Sequence, residues 1–395
     1  MENLRQVVEK CKDDFSAHFG VSPSFVAYAP GRINIIGEHT DYNQGLSMPC
    51  AINRWVTVSM LPRTDQRVNI ISKDFNGEIT FQLGEVYEPK DLWERYVYGC
   101  IVLFQKSISI KNGFEAFIEG NVPIGSGVSS SAALEVAFMN GLNHLCKDVQ
   151  DPLILILTCQ QVEHQFLKVK SGLLDQYASQ FSKAGNFMVL DFLTLSHEYF
   201  TADIKGYVWV LCDTKVKRSL GSTKYSERVE ETNKAFLSIQ KKYPEVINMR
   251  GIEEKHLNAI EDLFLKKRIR HYMFENKRVK QSLEALAIKD MEAFGNLITA
   301  SHFSLRDDYE VSCEELDFLV EEAIATNCCL GSRMMGGGFG GCTINLVKKE
   351  EVKAFSKKIS EAYLTRFHSQ IEINIYKSVD GAGIYPVVKD VSYSS

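Results

Sequence analysis

The chain has 395 residues, of which 45% are hydrophobic and 24% charged, and its formal net charge is −5. One compact domain usually takes about 100 to 200 residues, so we expect a folded protein with two domains. The weakly acidic balance supplies no positive field for nucleic acid or an anionic membrane surface. A small-molecule substrate fits this composition better.

The amino terminus, MENLRQVVEKCKDDF, mixes charged and apolar residues at helical spacing, which differs from a secretory signal. The longest purely aliphatic run, Leu153 to Leu157, is shorter than the roughly 18 residues that cross a bilayer. None of the ten cysteines belongs to a CxxC pair. We therefore expect a cytoplasmic protein, neither exported nor embedded in a membrane, with reduced thiols, as a monomer or weak oligomer.

The first half alternates β-branched and aromatic runs with helical stretches. Six runs are predicted to be strands: FVAYAP, RINIIG, WVTVSML, RVNIIS, EITFQL and GFEAFIEG. Helical spacing follows over residues 132 to 146, and Asp151 with Pro152 is predicted to cap the next helix. FMVLDF and YVWVLCD then have the pattern of strands.

In the second half, helices are predicted from about Tyr225 to Lys242 and around residues 254 to 300. Ser312 and Glu315 match a capping box, which predicts a helix beginning there. Strand CTINLV, helix EEVKAFSKKISEAYLTRF and strand INIYKS follow. These mixed elements predict an α/β protein whose two α/β units, residues 1–200 and 201–395, meet near residue 200.

The segment VPIGSGVSSSAA, residues 122 to 133, lies between a predicted strand and a predicted helix. Its glycines allow the backbone to approach an anion, and the free amides of a helix start carry positive partial charge. Its serines add donors or a magnesium ligand. The segment predicts a phosphate-binding loop, with a flexible turn and serine capping as the alternative. A P-loop is excluded, because the chain contains no GxxxxGK[ST].

A second glycine cluster, MMGGGFGG at residues 334 to 341, matches GxGxxG through Gly336, Gly338 and Gly341. A dinucleotide-binding fingerprint follows a strand and opens a helix, whereas this cluster precedes a predicted strand. We therefore expect a loop whose bare backbone lies against a ligand or against the first loop. A plain tight connection is the alternative.

Charged residues flank the apolar run RINIIG: Arg32 begins it, and Glu38, His39 and Asp41 follow it. Donors and acceptors at one strand end suit a polyol, whose hydroxyl groups each need a partner once buried. A solvated turn is the alternative.

Two carboxylates lie in apolar surroundings, Glu163 late in the helix after Pro152 and Asp175 within SGLLDQYASQ. A buried carboxylate needs a cation, a donor or water. Asp175 alone could equally be a structural capping group. Two such carboxylates beside a phosphate loop are typical of phosphoryl transfer, in which one holds magnesium and the other orients the nucleophilic hydroxyl. The histidines show no ligand spacing, so no transition-metal site is predicted.

Together these segments resemble the galactokinase branch of the GHMP kinases across essentially the whole chain. GRINIIGEHTDYNQG resembles the galactokinase signature, VPIGSGVSSSAA the superfamily's phosphate motif, and RMMGGGFGGCTINLV its third motif. SHFSLRDDYEVSCEELDFLV at 301 to 320 and KVKRSLGSTKY at 215 to 225 are also similar to galactokinases. The five motifs occur in the family's order.

The resemblance implies a two-domain GHMP kinase fold, with a left-handed βαβ crossover in the amino-terminal α/β half and a ferredoxin-like carboxy-terminal half. Pattern alone does not predict that rare handedness. It also implies an enzyme that transfers the γ-phosphate of ATP to the anomeric hydroxyl of galactose with Mg²⁺. The alternatives are a kinase for N-acetylgalactosamine or arabinose, and a non-catalytic galactose sensor.

By motif position, Arg32 matches the cationic residue near the transferred phosphoryl group, Asp175 the proposed general base, and Ser131 and Glu163 the magnesium ligands. The ATP-phosphate loop corresponds to Gly125, Ser126, Gly127, Val128, Ser129, Ser130 and Ser131. The sugar-contacting positions correspond to Glu38, His39, Thr40, Asp41, Gly172, Asp175 and Tyr225. The chain departs from the family at three positions: Val128 replaces the commoner leucine, Lys168 the commoner glycine, and Ser171 the commoner cysteine.

Overall fold

The computed structural model describes residues 2–146, 150–201, 204–216 and 221–387. Within these ranges the strands are β1 Phe25–Asn34, β2 Leu46–Ser47, β3 Pro49–Pro62, β4 Arg67–Ser72, β5 Gly77–Gln82, β6 Phe114–Gly120, β7 Asn186–Asp191, β8 Ser196–Thr201, β9 Tyr207–Asp213, β10 Cys329–Met335, β11 Cys342–Lys348, β12 Glu372–Tyr376 and β13 Gly383–Pro386. The helices are α1 Leu4–Phe19, α2 Leu92–Phe104, α3 Ser130–Cys146, α4 Pro152–Val162, α5 Leu174–Phe181, α6 Gly221–Lys242, α7 Leu263–Ala287, α8 Met291–Asp307, α9 Glu314–Ile324 and α10 Val352–Phe367.

The first sheet has six strands in the order β13-β1-β3-β6-β4-β5. Neighbours are antiparallel except β4 and β6, which run parallel and are joined through β5 and α2. Helix α3 packs on β1 and β3 and contributes Ala133, Val136 and Phe138 to the main hydrophobic core. The sheet and helix thus form the predicted α/β half. The left-handed crossover stays a prediction.

FVAYAP and the start of RINIIG, predicted as two strands, form one continuous strand, β1. This strand is buried along almost its whole length. Its pairing with β3 shifts register between Pro30 and Arg32. At this irregularity the Arg32 amide donates to the carbonyl oxygen of Val128, at 3.1 Å. The shift therefore brings Arg32 against the glycine-serine loop.

The second sheet has the order β10-β11-β9-β12, and every neighbouring pair is antiparallel. Its chain order is strand, helices, two strands, helix α10, strand, which is the ferredoxin-like arrangement. The apolar runs of β9 and β11 form its buried centre, on which α9 and α10 pack. The predicted ferredoxin-like half is confirmed.

The last strand, β13, leaves the second half and pairs with β1 of the first sheet, Phe25 opposite Pro386. A third sheet, β2-β7-β8, pairs the short strand β2 from early in the chain with β7 and β8. The division near residue 200 stays a prediction. None of the helices in the described ranges is both long and apolar enough to cross a membrane.

Two local predictions differ from the structure. The capping box at Ser312 is wrong, because α9 begins after Cys313 and the Ser312 hydroxyl donates to Asp317 instead. The single helix expected after Pro152 ends at Val162 and continues as a π-helical turn over Glu163–Leu167. The predicted cap is confirmed, since the Asp151 carboxylate accepts from the Leu153 amide at 2.7 Å.

Candidate active site

A cleft of about 790 Å³ gathers residues that are far apart in the sequence. It contains most of the predicted site residues, namely Arg32, Glu38, His39, Asp41, Gly125, Ser126, Gly127, Ser129, Ser130, Ser131, Glu163, Gly172, Asp175 and Tyr225. Gly336, Gly337 and Gly338 of the second glycine cluster line the same cleft. One cavity therefore brings together the segments predicted to bind phosphate and a polyol.

The glycine-serine loop turns sharply just before α3. Gly125 and Gly127 have φ angles of 80° and 75°, and Ser129 has φ 60°, so three backbone positions are left-handed. Such angles favour glycine, and a serine that adopts one is uncommon outside constrained sites. Helix α3 begins at Ser130, and both Ser130 and Ser131 line the cleft. The helix start therefore presents amides and hydroxyls to an anion.

Arg32 and Asp175 form an ion pair in this cleft. The arginine Nε donates to Asp175 Oδ1 at 2.7 Å, and its Nη1 donates to the Gly127 carbonyl oxygen at 2.7 Å. The Ser129 hydroxyl donates to Asp175 Oδ2. Burial opposes the arginine charge, but the carboxylates of Asp175 and Glu38 outweigh it and raise the pKa of Arg32. The guanidinium therefore stays charged beside the glycine-serine loop.

Asp41 and Gly172 are in close contact. A Cβ atom on Gly172 would lie 1.7 Å from Asp41 Oδ2, so only glycine fits there. Burial raises the pKa of Asp41 to about 7, and the charges of Asp175 and Glu38 add to this effect. A carboxyl group in this state can exchange donor and acceptor roles near neutral pH.

Glu163 lies at the start of the π-helical turn, where its carboxylate reaches the cleft. The Ser171 hydroxyl donates to its Oε2. Burial raises the pKa of Glu163 to about 7; the charge of Asp175 adds to the rise, and the hydrogen bonds from Ser171 and Gln176 oppose it. A cation here would relieve the cost of the buried negative charge.

Glu38 is held by Arg333, a fully buried residue of β10. Arg333 Nη2 donates to Glu38 Oε2 at 2.7 Å, and the Gly336 amide donates to the same oxygen at 3.0 Å. Burial alone would raise the pKa of Glu38, but Arg333 and Arg32 outweigh it and hold that pKa below its usual value. The ion pair ties the loop after β1 to the second glycine cluster.

His39 is enclosed by aromatic rings, 5.5 Å from the ring of Tyr225 and 4.9 Å from that of Tyr309 between centroids. Its backbone is left-handed, with φ 58°. Burial lowers the pKa of His39 to about 3, so the imidazole is neutral at physiological pH. A neutral imidazole suits hydrogen bonding to a sugar hydroxyl.

Two predicted site residues do not line the cleft. Thr40 is fully buried, and its hydroxyl contacts the carbonyl oxygen of Leu46 at 2.8 Å and the Ser47 hydroxyl at 3.0 Å. Val128 is buried, and only its carbonyl oxygen reaches Arg32. Both side chains are therefore buried in the protein and do not reach the cleft.

Several residues of the site were missed from the sequence. Asp213 and Lys215 line the cleft at the end of β9, where the Lys215 ammonium lies 3.2 Å from Asp213. Arg333 lies in β10, which was not predicted from its sequence CLGSRMM. The only signal for Arg333 as a site residue was its position just before the second glycine cluster. Part of the motif at 215 to 225, residues 217–220, lies outside the described residues.

Comparisons with known proteins match three family signatures to the chain. The galactokinase galactose-binding signature matches residues 13–62, the GHMP kinases N terminal domain residues 95–183, and the GHMP kinases C terminal domain residues 282–364. A galactokinase of Clostridium beijerinckii is 37% identical over 392 residues, 96% of this chain and 99% of that protein. A galactokinase of Lactococcus lactis subsp. cremoris is 40% identical, over 85% of this chain and 86% of that protein.

Solved structures extend the likeness to the fold. The Lactococcus lactis galactokinase complexed with galactose superimposes with a TM-score of 0.90 at 36% identity, covering 95% of this chain and 99% of that one. The mevalonate kinase of Methanococcus jannaschii, at 18% identity and a TM-score of 0.66, shares the fold over 90% of this chain and 98% of that one. The chain therefore belongs to the galactokinase family of the GHMP kinases.

Proposed function

We propose that the protein transfers the γ-phosphoryl group of ATP to the anomeric hydroxyl of galactose, giving galactose 1-phosphate and ADP. The observation that carries this proposal is the Arg32–Asp175 ion pair, which is hydrogen-bonded to the glycine-serine loop and lines the same cleft as the polar residues after β1. The relatives that match nearly the whole chain are named galactokinases, and one related structure holds galactose.

The glycine-serine loop would bind the phosphate groups of ATP. Its left-handed positions turn the backbone at the start of α3, and Ser129, Ser130 and Ser131 line the cleft. Arg32 would place a permanent positive charge against the transferring group, since Asp175 and the Gly127 carbonyl oxygen fix the guanidinium. Positioning and charge stabilisation supply most of the catalysis in phosphoryl transfer.

Asp175 would orient the anomeric hydroxyl and accept its proton. Its Oδ1 is contacted by both Nε and Nη2 of Arg32, at 2.7 and 2.6 Å, whereas its Oδ2 accepts from the Ser129 hydroxyl and has capacity for a second hydrogen bond. Its side chain is 35% exposed, against 6% for Arg32, so the carboxylate is open to a substrate in the cleft. The hydroxyl would then attack the γ-phosphorus as its proton moves to Asp175.

Magnesium would be held by Ser131 and Glu163 together with oxygen atoms of ATP. The donors fit, because hydroxyl and carboxylate oxygens are hard ligands and Glu163 is a buried carboxylate that a cation would stabilise. Within the described ranges no three His, Cys, Asp or Glu side chains could enclose a metal alone. Mg²⁺ is commonly bound through one or two protein ligands plus substrate phosphates, and it neutralises charge on them.

Galactose would be recognised by Glu38, His39, Asp41 and Tyr225, which all line the cleft. Gly172 leaves room for the Asp41 carboxylate, so the sugar pocket depends on a missing side chain as well as on polar groups. A kinase for N-acetylgalactosamine or arabinose would share the phosphate-binding residues. The sugar itself therefore has to be tested.

The test is a coupled ADP-release assay with ATP and Mg²⁺ over galactose, glucose, arabinose, N-acetylgalactosamine and galactosamine. We expect galactose to give the highest kcat/KM and excess EDTA to abolish turnover. A higher kcat/KM for N-acetylgalactosamine would support the related kinase instead. Calorimetric binding of galactose and ATP without turnover of any sugar would support the sensor.

The cytoplasmic location and the monomeric or weakly oligomeric state also remain proposals. Cys11, Cys50, Cys100, Cys159, Cys212, Cys313, Cys328 and Cys329 are free thiols in the structure, which supports a reducing compartment.

A further inference from the structure

A line of hydrogen-bonding groups leads from α6 to His39. Thr232 Oγ1 lies 2.8 Å from the Arg228 carbonyl oxygen and 3.0 Å from the Tyr309 hydroxyl. The Tyr309 hydroxyl lies 2.8 Å from that of Tyr42, which lies 2.8 Å from His39 Nδ1. Thr232 and Tyr309 are fully buried. The line therefore joins the carboxy-terminal half to the sugar side of the cleft.

The number of available protons determines which group donates and which accepts in each hydrogen bond of this line. Four contacts need four protons if each is a hydrogen bond. The Arg228 carbonyl oxygen has none to give, and each of the three hydroxyl groups has one. The fourth proton must therefore come from His39 Nδ1. Thr232 donates to the carbonyl oxygen, Tyr309 to Thr232, Tyr42 to Tyr309, and His39 Nδ1 to Tyr42.

This order determines what His39 offers to a ligand. The imidazole is neutral, so a proton on Nδ1 leaves Nε2 with a bare lone pair. Nε2 is buried and has no hydrogen-bond partner among the described residues, while His39 lines the cleft. An unpaired acceptor of this kind costs free energy unless a ligand donates to it.

We propose that Thr232, Tyr309 and Tyr42 are positioning residues that hold His39 in the Nδ1-protonated tautomer, so that His39 Nε2 accepts a hydrogen bond from a sugar hydroxyl. The proposal rests on the proposed sugar-binding role of His39. It adds that His39 Nε2 requires a hydrogen-bond donor at that position of the sugar. Thr232 and Tyr309, in the carboxy-terminal half, would set this requirement without contacting the sugar.

The tautomer is measured directly by long-range ¹H–¹⁵N correlation NMR on the full ligand-free chain labelled with ¹⁵N-histidine. Protonated and bare imidazole nitrogens have widely separated ¹⁵N shifts. The His39 signals are identified by their loss in His39→Gln. We expect a protonated Nδ1 and a bare Nε2 near neutral pH. A proton on Nε2 would overturn the proposal, whether or not the protein phosphorylates galactose.

The variant Tyr309→Phe tests the positioning role. Without its acceptor, the Tyr42 hydroxyl turns its proton to His39 Nδ1, and the imidazole proton moves to Nε2. We expect the Nε2-protonated tautomer to appear and the KM for galactose to rise roughly tenfold, the effect of one hydrogen bond. The kcat and the KM for ATP should change far less.

Tyr243→Phe is the matched control, because Tyr243 packs against His256 away from the cleft. It should leave the His39 tautomer and all kinetic constants unchanged. If Tyr309→Phe does not fold, as judged by its melting temperature, Thr232→Val interrupts the same line one step earlier with the same expected result. A wild-type tautomer and wild-type galactose KM in whichever variant folds would refute the positioning role.

Discussion

Arg32 Nε donates to Asp175 Oδ1 at 2.7 Å, although the two residues are 143 positions apart in the sequence. The same guanidinium donates to the carbonyl oxygen of Gly127 in the glycine-serine loop. The proposed charge-stabilising group and the proposed base are therefore held by each other, and both are fixed to the proposed phosphate site.

Asp175→Asn should reduce kcat by at least about a hundredfold, because the amide cannot accept the hydroxyl proton that a general base accepts. The KM for galactose and ATP binding should change much less, since the shape of the side chain is kept. Steady-state kinetics and calorimetry measure these effects. The control is Asp191→Asn, which removes the charge from another half-buried pair, Asp191 with Arg250. A variant at Asp175 that keeps most of its kcat would disprove the catalytic role.

Gly172→Ala should weaken galactose binding more than ATP binding. The new methyl group would overlap Asp41 Oδ2, which lies 1.7 Å from the Cβ position, so the carboxylate or the turn must move. Overpacking of this kind costs about 1 to 3 kcal/mol. Gly251→Ala is the matched control, because its Cβ would meet nothing closer than 3.7 Å. Equal galactose affinity in both variants would contradict the contact.

Asp41 predicts a pH dependence of stability in the ligand-free protein. Its pKa is raised from 3.8 to about 7, so the folded state binds a proton that the unfolded state has released. The free energy of unfolding should therefore fall as the pH rises from about 4 to about 7, by on the order of 1 to 3 kcal/mol.

Denaturant unfolding between pH 5 and pH 7.5 measures this slope. Asp41→Asn should flatten it in part, because Glu163 titrates over the same range. Asp65→Asn is the control, since the pKa of Asp65 is lowered to about 2 by its hydrogen bonds to Arg63 and lies outside the window. A slope that Asp41→Asn leaves unchanged would show that burial does not raise the Asp41 pKa.

Ser171→Ala tests the environment of the proposed magnesium ligand. Loss of the hydroxyl donor should raise the pKa of Glu163 further. The Mg²⁺ concentration for half-maximal activity at pH 7 should then increase roughly three- to tenfold, within the effect of one charge-assisted hydrogen bond. The increase should shrink at pH 8.5, where the carboxylate is ionised in both proteins.

Ser171→Cys introduces the residue that is commoner in the family, and its thiol is a weaker donor than the serine hydroxyl. Its Mg²⁺ concentration for half-maximal activity should lie between those of the wild type and Ser171→Ala. Ser196→Ala on the exposed strand β8 is the control. An identical Mg²⁺ requirement in Ser171→Ala and the wild type at both pH values would argue against Glu163 as a ligand.

The sequence predicted those parts of the fold and site in which one local pattern suffices. Arg32, Asp175 and the glycine-serine loop line one cleft, and strand-loop-helix context and isolated carboxylates made them candidates, while their roles rest on the resemblance. Strand β8 was missed because its residues are mostly exposed and polar. Strand β10 was missed because it carries a fully buried arginine, Arg333, whose partner Glu38 is 295 positions away.

Thr40 illustrates a feature of the site that a local pattern does not determine. Its place in the motif suggested a sugar contact, yet its hydroxyl bonds to backbone and to Ser47 inside the loop. The direction of a side chain within a turn depends on the fold around it, which sequence spacing does not contain. The line from Thr232 through Tyr309 to His39 was hidden for the same reason, since its members belong to both halves.

The most direct measurement of the central claim is NMR analysis of the product formed by the purified protein from ATP, Mg²⁺ and galactose. The account predicts stoichiometric ADP and a sugar phosphate whose phosphorus is coupled to the anomeric proton. A phosphorus without three-bond coupling to the anomeric proton, or ADP formed without a sugar phosphate, would contradict it.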